Sequence, residues 1–216
     1  MKNTPRRGSI ITIFISLFLS ACVTVPRSEY LEQNARAATA LVVTIKGYGT
    51  GILVAPDKIL TVNHVLPVDI ATVYFYEGMA TIQSDSTSRI GEVIWRSDVV
   101  DLALIRIPSV TTPPVVISCK LTRMGTPVFL IGHSAYRVAW TARYGNVASS
   151  NVDPDGSLLL HMTASYGDSG AGVFDYDGIL VGILETIQLS RSSGGNTGIS
   201  FMIPGSKICE ELADKI

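Results

Sequence analysis

Residues 165–174 read SYGDSGAGVF, and four of the first eight are glycine or alanine, set around one aspartate, Asp168, and one serine nucleophile candidate, Ser169. Glycine is costly in regular structure and is used where the backbone must bend sharply or pass close to a ligand. Two readings are open at this point. The stretch is a β-turn, which Gly, Asp and Ser all favour, or it is a loop whose backbone N–H groups face a reacting oxygen. The rest of the chain decides between them, by holding or lacking a base and an acid to orient that base.

On both sides the texture is that of an all-β protein. From Leu41 onward, runs such as ALVVTIKG, TGILVAPDKILTV, IATVYFYEG, DLALIRI, TPVFLIG, SLLLHMT and NTGISFMIP are rich in Val, Ile, Thr and aromatics, and Gly, Pro, Asp or Asn bound them. The Tyr176–Gly178 step reads as a hairpin turn. PSVTTPP, 108–114, splits the run in two and reads as a linker. The sole convincing helix is PGSKICEELADKI, 204–216, with Ile208 and Leu212 on one face. VPRSEYLEQNARAATA, 25–40, is polar with little period and reads as a tether with at most one helical turn. Many short strands without intervening helices argue for barrels or a sandwich.

The 216 residues are 47% apolar and 16% charged, which excludes a disordered or nucleic-acid-binding chain. Lys2, Arg6 and Arg7 precede the apolar run IITIFISLFLS, which is too short to span a bilayer comfortably and has the form of a secretory signal. The signal ends in LSAC, Leu19 to Cys22, and resembles the lipobox of bacterial lipoproteins. That resemblance implies a signal peptide over 1–21, a lipidated Cys22, and anchoring in the cell envelope, at the outer membrane facing the periplasm. Without Lys2, Arg6 and Arg7 the chain carries 14 basic against 18 acidic residues, a net charge of −4, a poor match for nucleic acid.

The base and the acid are present. There are three histidines, and His64 follows an apolar strand in ILTVNHVL. Asp101 stands at the entry to DLALIRI, where a partly buried carboxylate needs a hydrogen-bonding partner that an imidazole supplies. The order His64, Asp101, Ser169 is one known order of the catalytic triad. His133 and His161 read as structural, and neither a pair of histidines at ligand spacing nor a CxxC is present, so no metal and no cofactor is expected.

LTVNHV, DLALIRI and GDSG together resemble the three catalytic blocks of chymotrypsin-fold serine proteases. YGTGILVAPDKILTVNHV and GISFMIP resemble the bacterial branch, including the periplasmic heat-shock proteases. The likeness implies two β-barrels, 41–110 and 111–203, after a tether over 22–40 and before a C-terminal helix, 204–216. It implies a polypeptide substrate, Ser169 as nucleophile, His64 as base, Asp101 as its orienting acid, and the N–H groups of Gly167 and Ser169 as the oxyanion hole. Thr163, six residues before the nucleophile, falls at the floor of the specificity pocket, with Glu185, Thr186, Ile187 and Gly198 in its walls. An uncharged floor disfavours a basic P1 side chain and implies a small or medium uncharged one. Some trypsins bridge the regions of Cys119 and Cys209, which implies a disulfide here; two free thiols are the other reading. Asp168 sits where cleavage-activated members pair an aspartate with a new amino terminus, but no suitable cleavage site precedes ALVVTIKG. No PDZ-like segment follows the helix, so no oligomeric state is carried over. A non-catalytic binding or chaperone-like lipoprotein on the same fold is the alternative.

Overall fold

The computed structural model describes residues 27–76, 88–134, 140–190 and 192–216, without the side chains of residues 27–30. The signal segment 1–21 and Cys22 lie outside the described residues. Strands β1 (Thr39–Thr44), β2 (Gly47–Ala55), β3 (Lys58–Thr61), β4 (Ile70–Phe75), β5 (Ser88–Arg96) and β6 (Ala103–Arg106) form one closed barrel, ordered β1-β2-β3-β6-β5-β4. Strands β7 (Pro127–Gly132), β8 (Thr141–Val152), β9 (Leu158–His161), β10 (Gly172–Asp175), β11 (Leu180–Leu189) and β12 (Asn196–Pro204) form a second, ordered β10-β11-β12-β9-β8-β7. Helices α1 (Arg27–Ala38) and α2 (Gly205–Leu212) flank them. The expected two-barrel, all-β architecture is therefore the observed one.

Alternation is clearest in β4, while β2 and β7 are buried over most of their length. In β4, Ala71, Val73 and Phe75 are buried while Ile70 faces outward, the period of two expected of a strand with one buried face. Leu53, Ile59, Leu60, Leu104 and Ile105 fill the first barrel, and Val128, Leu130, Leu160, Val173 and Leu184 the second. The β10–β11 hairpin turns where Asp175 Oδ1 accepts the N–H groups of Asp177 and Ile179, and Gly178 takes φ +78°. In α2, Ile208 and Leu212 are buried at i and i+4, and Cys209 is joined to Cys119 with Cα atoms 5.5 Å apart. The bridge spans 90 residues, a loop whose closure is worth about 4–5 kcal/mol in chain-entropy terms.

One expectation needs correcting. The stretch over 22–40, read as a tether with at most one helical turn, holds instead a 12-residue helix, Arg27–Ala38, and the first barrel begins at Thr39. The docked side of α1 is made of Ala35 and Ala38, both buried, so it carries no run of large apolar residues for a periodicity to reveal. Arg36 fastens it by donating to Trp140 O at 2.7 Å and is itself held by Glu32, one turn back in the helix, at 2.6 Å. The Trp140 indole N–H in turn donates to Thr39 O at 2.9 Å, which ties the helix end and β1 to the second barrel.

Candidate active site

His64 lies in a single 3-10 turn, Asn63–Val65, immediately beyond β3. Asp101 lies two residues before β6, and the β3–β6 pairing of Thr61 with Ala103 brings both segments to one end of the barrel. Buried Val65 and Leu102 anchor the two segments from below. Asp101 uses both carboxylate oxygens on the same residue. Oδ1 accepts the His64 backbone N–H at 2.9 Å, and Oδ2 faces His64 Nδ1 at 2.5 Å. With Nδ1–H donated to Asp101, the neutral ring presents its Nε2 lone pair on the opposite side. The hydrogen bond to Asp101 raises the His64 pKa; burial opposes this, and the charges of Asp101 and Glu185 reinforce it. Burial pushes Asp101 upward, but the hydrogen bonds and charge of His64 together outweigh it and hold the carboxyl below its ordinary range.

The second barrel supplies Ser169 from the loop between β9 and β10. Ser165 O accepts the Asp168 N–H at 3.0 Å, and Asp168 O accepts the Ala171 N–H at 2.9 Å. Gly170 N–H donates to Leu184 O at 2.8 Å. Across the barrels, Thr50 holds the same loop twice. Its N–H donates to Ser169 O at 2.8 Å and its hydroxyl to Gly167 O at 2.7 Å. Two glycines make this approach possible. Gly167, φ +94°, would place a Cβ 2.3 Å from His133 O, and Gly170, φ +87°, would place one 1.9 Å from Thr50 O. The small residues around the serine are thus needed for close backbone contact. Among the described residues, neither the Gly167 nor the Ser169 N–H donates to a protein acceptor. The Ser169 hydroxyl likewise makes no hydrogen bond.

His64, Ser169 and Gly167 open on one cavity of about 400 Å³ whose walls include Tyr48, Tyr166, Thr186 and Ile187. A larger cavity of about 890 Å³ lies between α1 and the second barrel, lined by Tyr76, Phe129, Tyr144 and Tyr176. It holds neither base nor nucleophile, so the smaller one is the candidate site. Among the described residues no group of His, Cys, Asp or Glu is arranged to hold a metal ion.

The expected pocket residues divide. Thr186 and Ile187 line the candidate cavity. Thr163 and Gly198 lie beside each other, a Gly198 Cβ falling 3.8 Å from Thr163 Oγ1, but outside that lining. Glu185 is corrected. The β11–β12 register shifts between Leu184 and Thr186, so Glu185 is the extra residue of a bulge and its side chain turns away. Its carboxylate accepts from Ser157 Oγ at 2.5 Å and lines a separate cavity with Asp101.

Sequence reading missed the groups that hold the loop from behind. Asp168 is fully buried; Ser134 Oγ donates to it at 2.8 Å, Arg143 Nε at 2.9 Å and the Ser165 N–H at 2.8 Å. Arg143 also donates to Ser134 Oγ. An internal arginine thus supplies the cation that the buried carboxylate requires. Arg143→Met leaves that charge unpaired and is expected to cost about 3 kcal/mol, the low end for a broken buried pair because a quarter of the Arg143 side chain is exposed. Denaturant unfolding checks this, and adding Asp168→Asn should recover part of the loss. Thr50 was also missed: its hydroxyl faces His133 Nδ1 at 2.9 Å as well as Gly167 O. Burial pushes His133 down to about 3, so it is a neutral packing residue, stacked edge-on against Trp140.

Comparison with known proteins gives the family. The family described as the trypsin-like peptidase domain matches residues 49–183. Serine protease Rv3671c of Mycobacterium tuberculosis is 21% identical over 179 residues, covering 76% of this chain and 41% of that protein. The chain thus spans about two fifths of the length of the curated relatives it matches. Among solved structures, the HtrA-type protease AlgW with a tripeptide superposes with a TM-score of 0.75 at 25% identity, over 88% of this chain and 64% of that one. The Rv3671c protease in its inactive form superposes with a TM-score of 0.67 at 18% identity, over 85% and 91%.

Proposed function

The chain belongs to the trypsin-like peptidase domain family, and on that premise we propose that it is a serine endopeptidase working through Ser169, His64 and Asp101. The observation that carries this reading is the double engagement of His64 by Asp101, which turns the free face of a neutral imidazole toward the cavity that also holds Ser169. His64 Nε2 takes the hydroxyl proton as Ser169 Oγ bonds to the substrate carbonyl carbon. The carbonyl π pair becomes an oxyanion, which the unengaged N–H groups of Gly167 and Ser169 are placed to receive, an effect worth several kcal/mol in comparable sites. The imidazolium gives its proton to the leaving amine as the C–N bond breaks. Water, deprotonated by the same ring, then releases the acyl group. The absent Ser169–His64 hydrogen bond fits a site that tightens on substrate binding.

The substrate is a polypeptide with a small or medium uncharged P1 residue. In support, no carboxylate among the described residues lines the cavity that holds Ser169, so a buried basic P1 side chain would lack a partner there. Hydrolysis of a P1-varied peptide library, absent in Ser169→Ala, tests both the activity and the preference.

The mature protein is held at the membrane by lipid on Cys22, facing the periplasm. LSAC at 19–22 supports this, and only four residues separate Cys22 from α1, so the anchor would hold the first barrel close to the bilayer. One acyl chain binds a membrane marginally, whereas two or more hold firmly. Cys22→Ser is expected to move the protein to the soluble fraction or leave its signal uncut; unchanged fractionation and mass would refute the anchor.

A further inference from the structure

Behind the His64–Asp101 pair lies a second cavity, of about 500 Å³, whose lining includes Asp98, Asp101, Asp155, Glu185 and Lys207. Glu185 is placed there by the loop that carries the nucleophile: Leu184, its chain neighbour, accepts from Gly170 N–H and donates to Ala171 O, each at 2.8 Å. The β11 bulge then swings the Glu185 side chain to the Asp101 side. The β8–β9 turn aims a partner at it. Asp153 Oδ1 accepts the N–H groups of Asp155 and Ser157, and buried Ser157 directs its hydroxyl to Glu185 Oε2 at 2.5 Å. The cation of this cavity, Lys207, is committed elsewhere, 3.0 Å from Glu210 and 3.8 Å from Glu211. A half-buried carboxylate is therefore fixed on the far side of Asp101, with no cation of its own among the described residues.

We propose that Glu185 is a positioning residue for His64, a second carboxylate behind Asp101 that stabilises the imidazolium formed when His64 takes the Ser169 proton. The proposal rests on the endopeptidase reading for its catalytic meaning, but the electrostatic coupling stands apart from it. Among the described residues Glu185 is hydrogen-bonded by a hydroxyl and paired with no lysine or arginine, so its charge is left to favour the charged form of the nearby imidazole. Asp153, Asp155 and Asp98 add charge of the same sign from the surrounding turns. Burial raises the Glu185 pKa, the charges of Asp101, Asp153 and Asp155 add to this and the Ser157 hydrogen bond opposes it, so the Glu185 charge acts on His64 at pH above that raised value.

The sign follows directly. Removing the Glu185 charge makes the imidazolium less stable, so His64 stays neutral to lower pH. The test is an NMR titration of the His64 ring in the Ser169→Ala protein, with and without Glu185→Gln. It reads the coupling even if the protein hydrolyses nothing, so failure of this proposal and failure of the endopeptidase reading are separable. The expected result is a His64 midpoint at lower pH with Gln, and partial return toward the wild-type midpoint with Glu185→Asp, which keeps a charge. In the Ser169 protein, the acidic limb of kcat/KM should move to lower pH with Gln. If Glu185→Gln does not fold, Glu185→Ser removes the same charge with less bulk. Identical His64 midpoints with and without the charge, or an Asp variant indistinguishable from Gln, would overturn the proposal.

Discussion

Ser169→Ala should lower peptide hydrolysis by about 10⁶-fold, the loss seen when a serine hydrolase forfeits its nucleophile. The thermal midpoint should move by no more than about 2 °C, because the deleted atom supports nothing else. The Ser169 hydroxyl makes no hydrogen bond among the described residues, while the loop is fixed by groups that alanine retains. These are Ser169 O to the Thr50 N–H, Gly170 N–H to Leu184 O and the buried Asp168 beneath. Loss of activity with an unchanged midpoint separates a chemical role from a structural one. Hydrolysis by the alanine protein at the wild-type rate would end the proposed mechanism.

Asp101→Asn should cost about 10⁴-fold in turnover, by analogy with the same change in the triad template. The asparagine carbonyl can still accept the His64 backbone N–H that Asp101 Oδ1 accepts at 2.9 Å. Its NH₂ group then faces His64 Nδ1, where Oδ2 now stands at 2.5 Å. A donor there requires Nδ1 to become the acceptor, which moves the ring proton to Nε2 and removes the lone pair from the cavity side. The His64 pKa should fall at the same time, because its hydrogen bond to a carboxylate is the main cause of its elevation. Steady-state kinetics across pH, together with the unfolding midpoint, check this. A turnover within tenfold of wild type would show that Asp101 does not set the tautomer.

The two barrels were legible because their strands are β-branched and punctuated, and because the candidate residues His64 and Asp101 fall beside strand ends that antiparallel pairing brings together. Thr61 opposite Ala103 is one such pairing, and it carries His64 and Asp101 to the same rim. Helix α1 was not legible, since alanines and a single arginine dock it where a periodicity search looks for leucines. The partners of Asp168 were hidden for a different reason. Ser134 and Arg143 lie 34 and 25 residues before it, in a loop and in β8, and only barrel closure brings β7, β8 and β10 side by side. Glu185 was misplaced because one bulge reverses the side its carboxylate faces, and sequence alternation across Leu184–Ile187 gives no sign of it. Bulges of this kind re-aim side chains next to active sites.

The buried carboxylate of the loop is paired without an amino terminus. Arg143 reaches Asp168 from within the chain, Thr50 ties the loop to the other barrel, and among the described residues the Gly167 and Ser169 N–H groups are left unengaged. The loop is thus shaped before any substrate arrives, which is the condition for electrostatic stabilisation without reorganisation.

The central claim is that Ser169 is a nucleophile activated by His64. Intact-mass and peptide-mass measurement after exposure to a fluorophosphonate tests it most directly, because the reagent bonds to a serine oxygen only where a base and an oxyanion site act on it. The account predicts one adduct per chain, located on Ser169, absent in Ser169→Ala and formed far more slowly in Asp101→Asn. No adduct on the folded wild-type protein, or an adduct on a different residue that persists in Ser169→Ala, would contradict it.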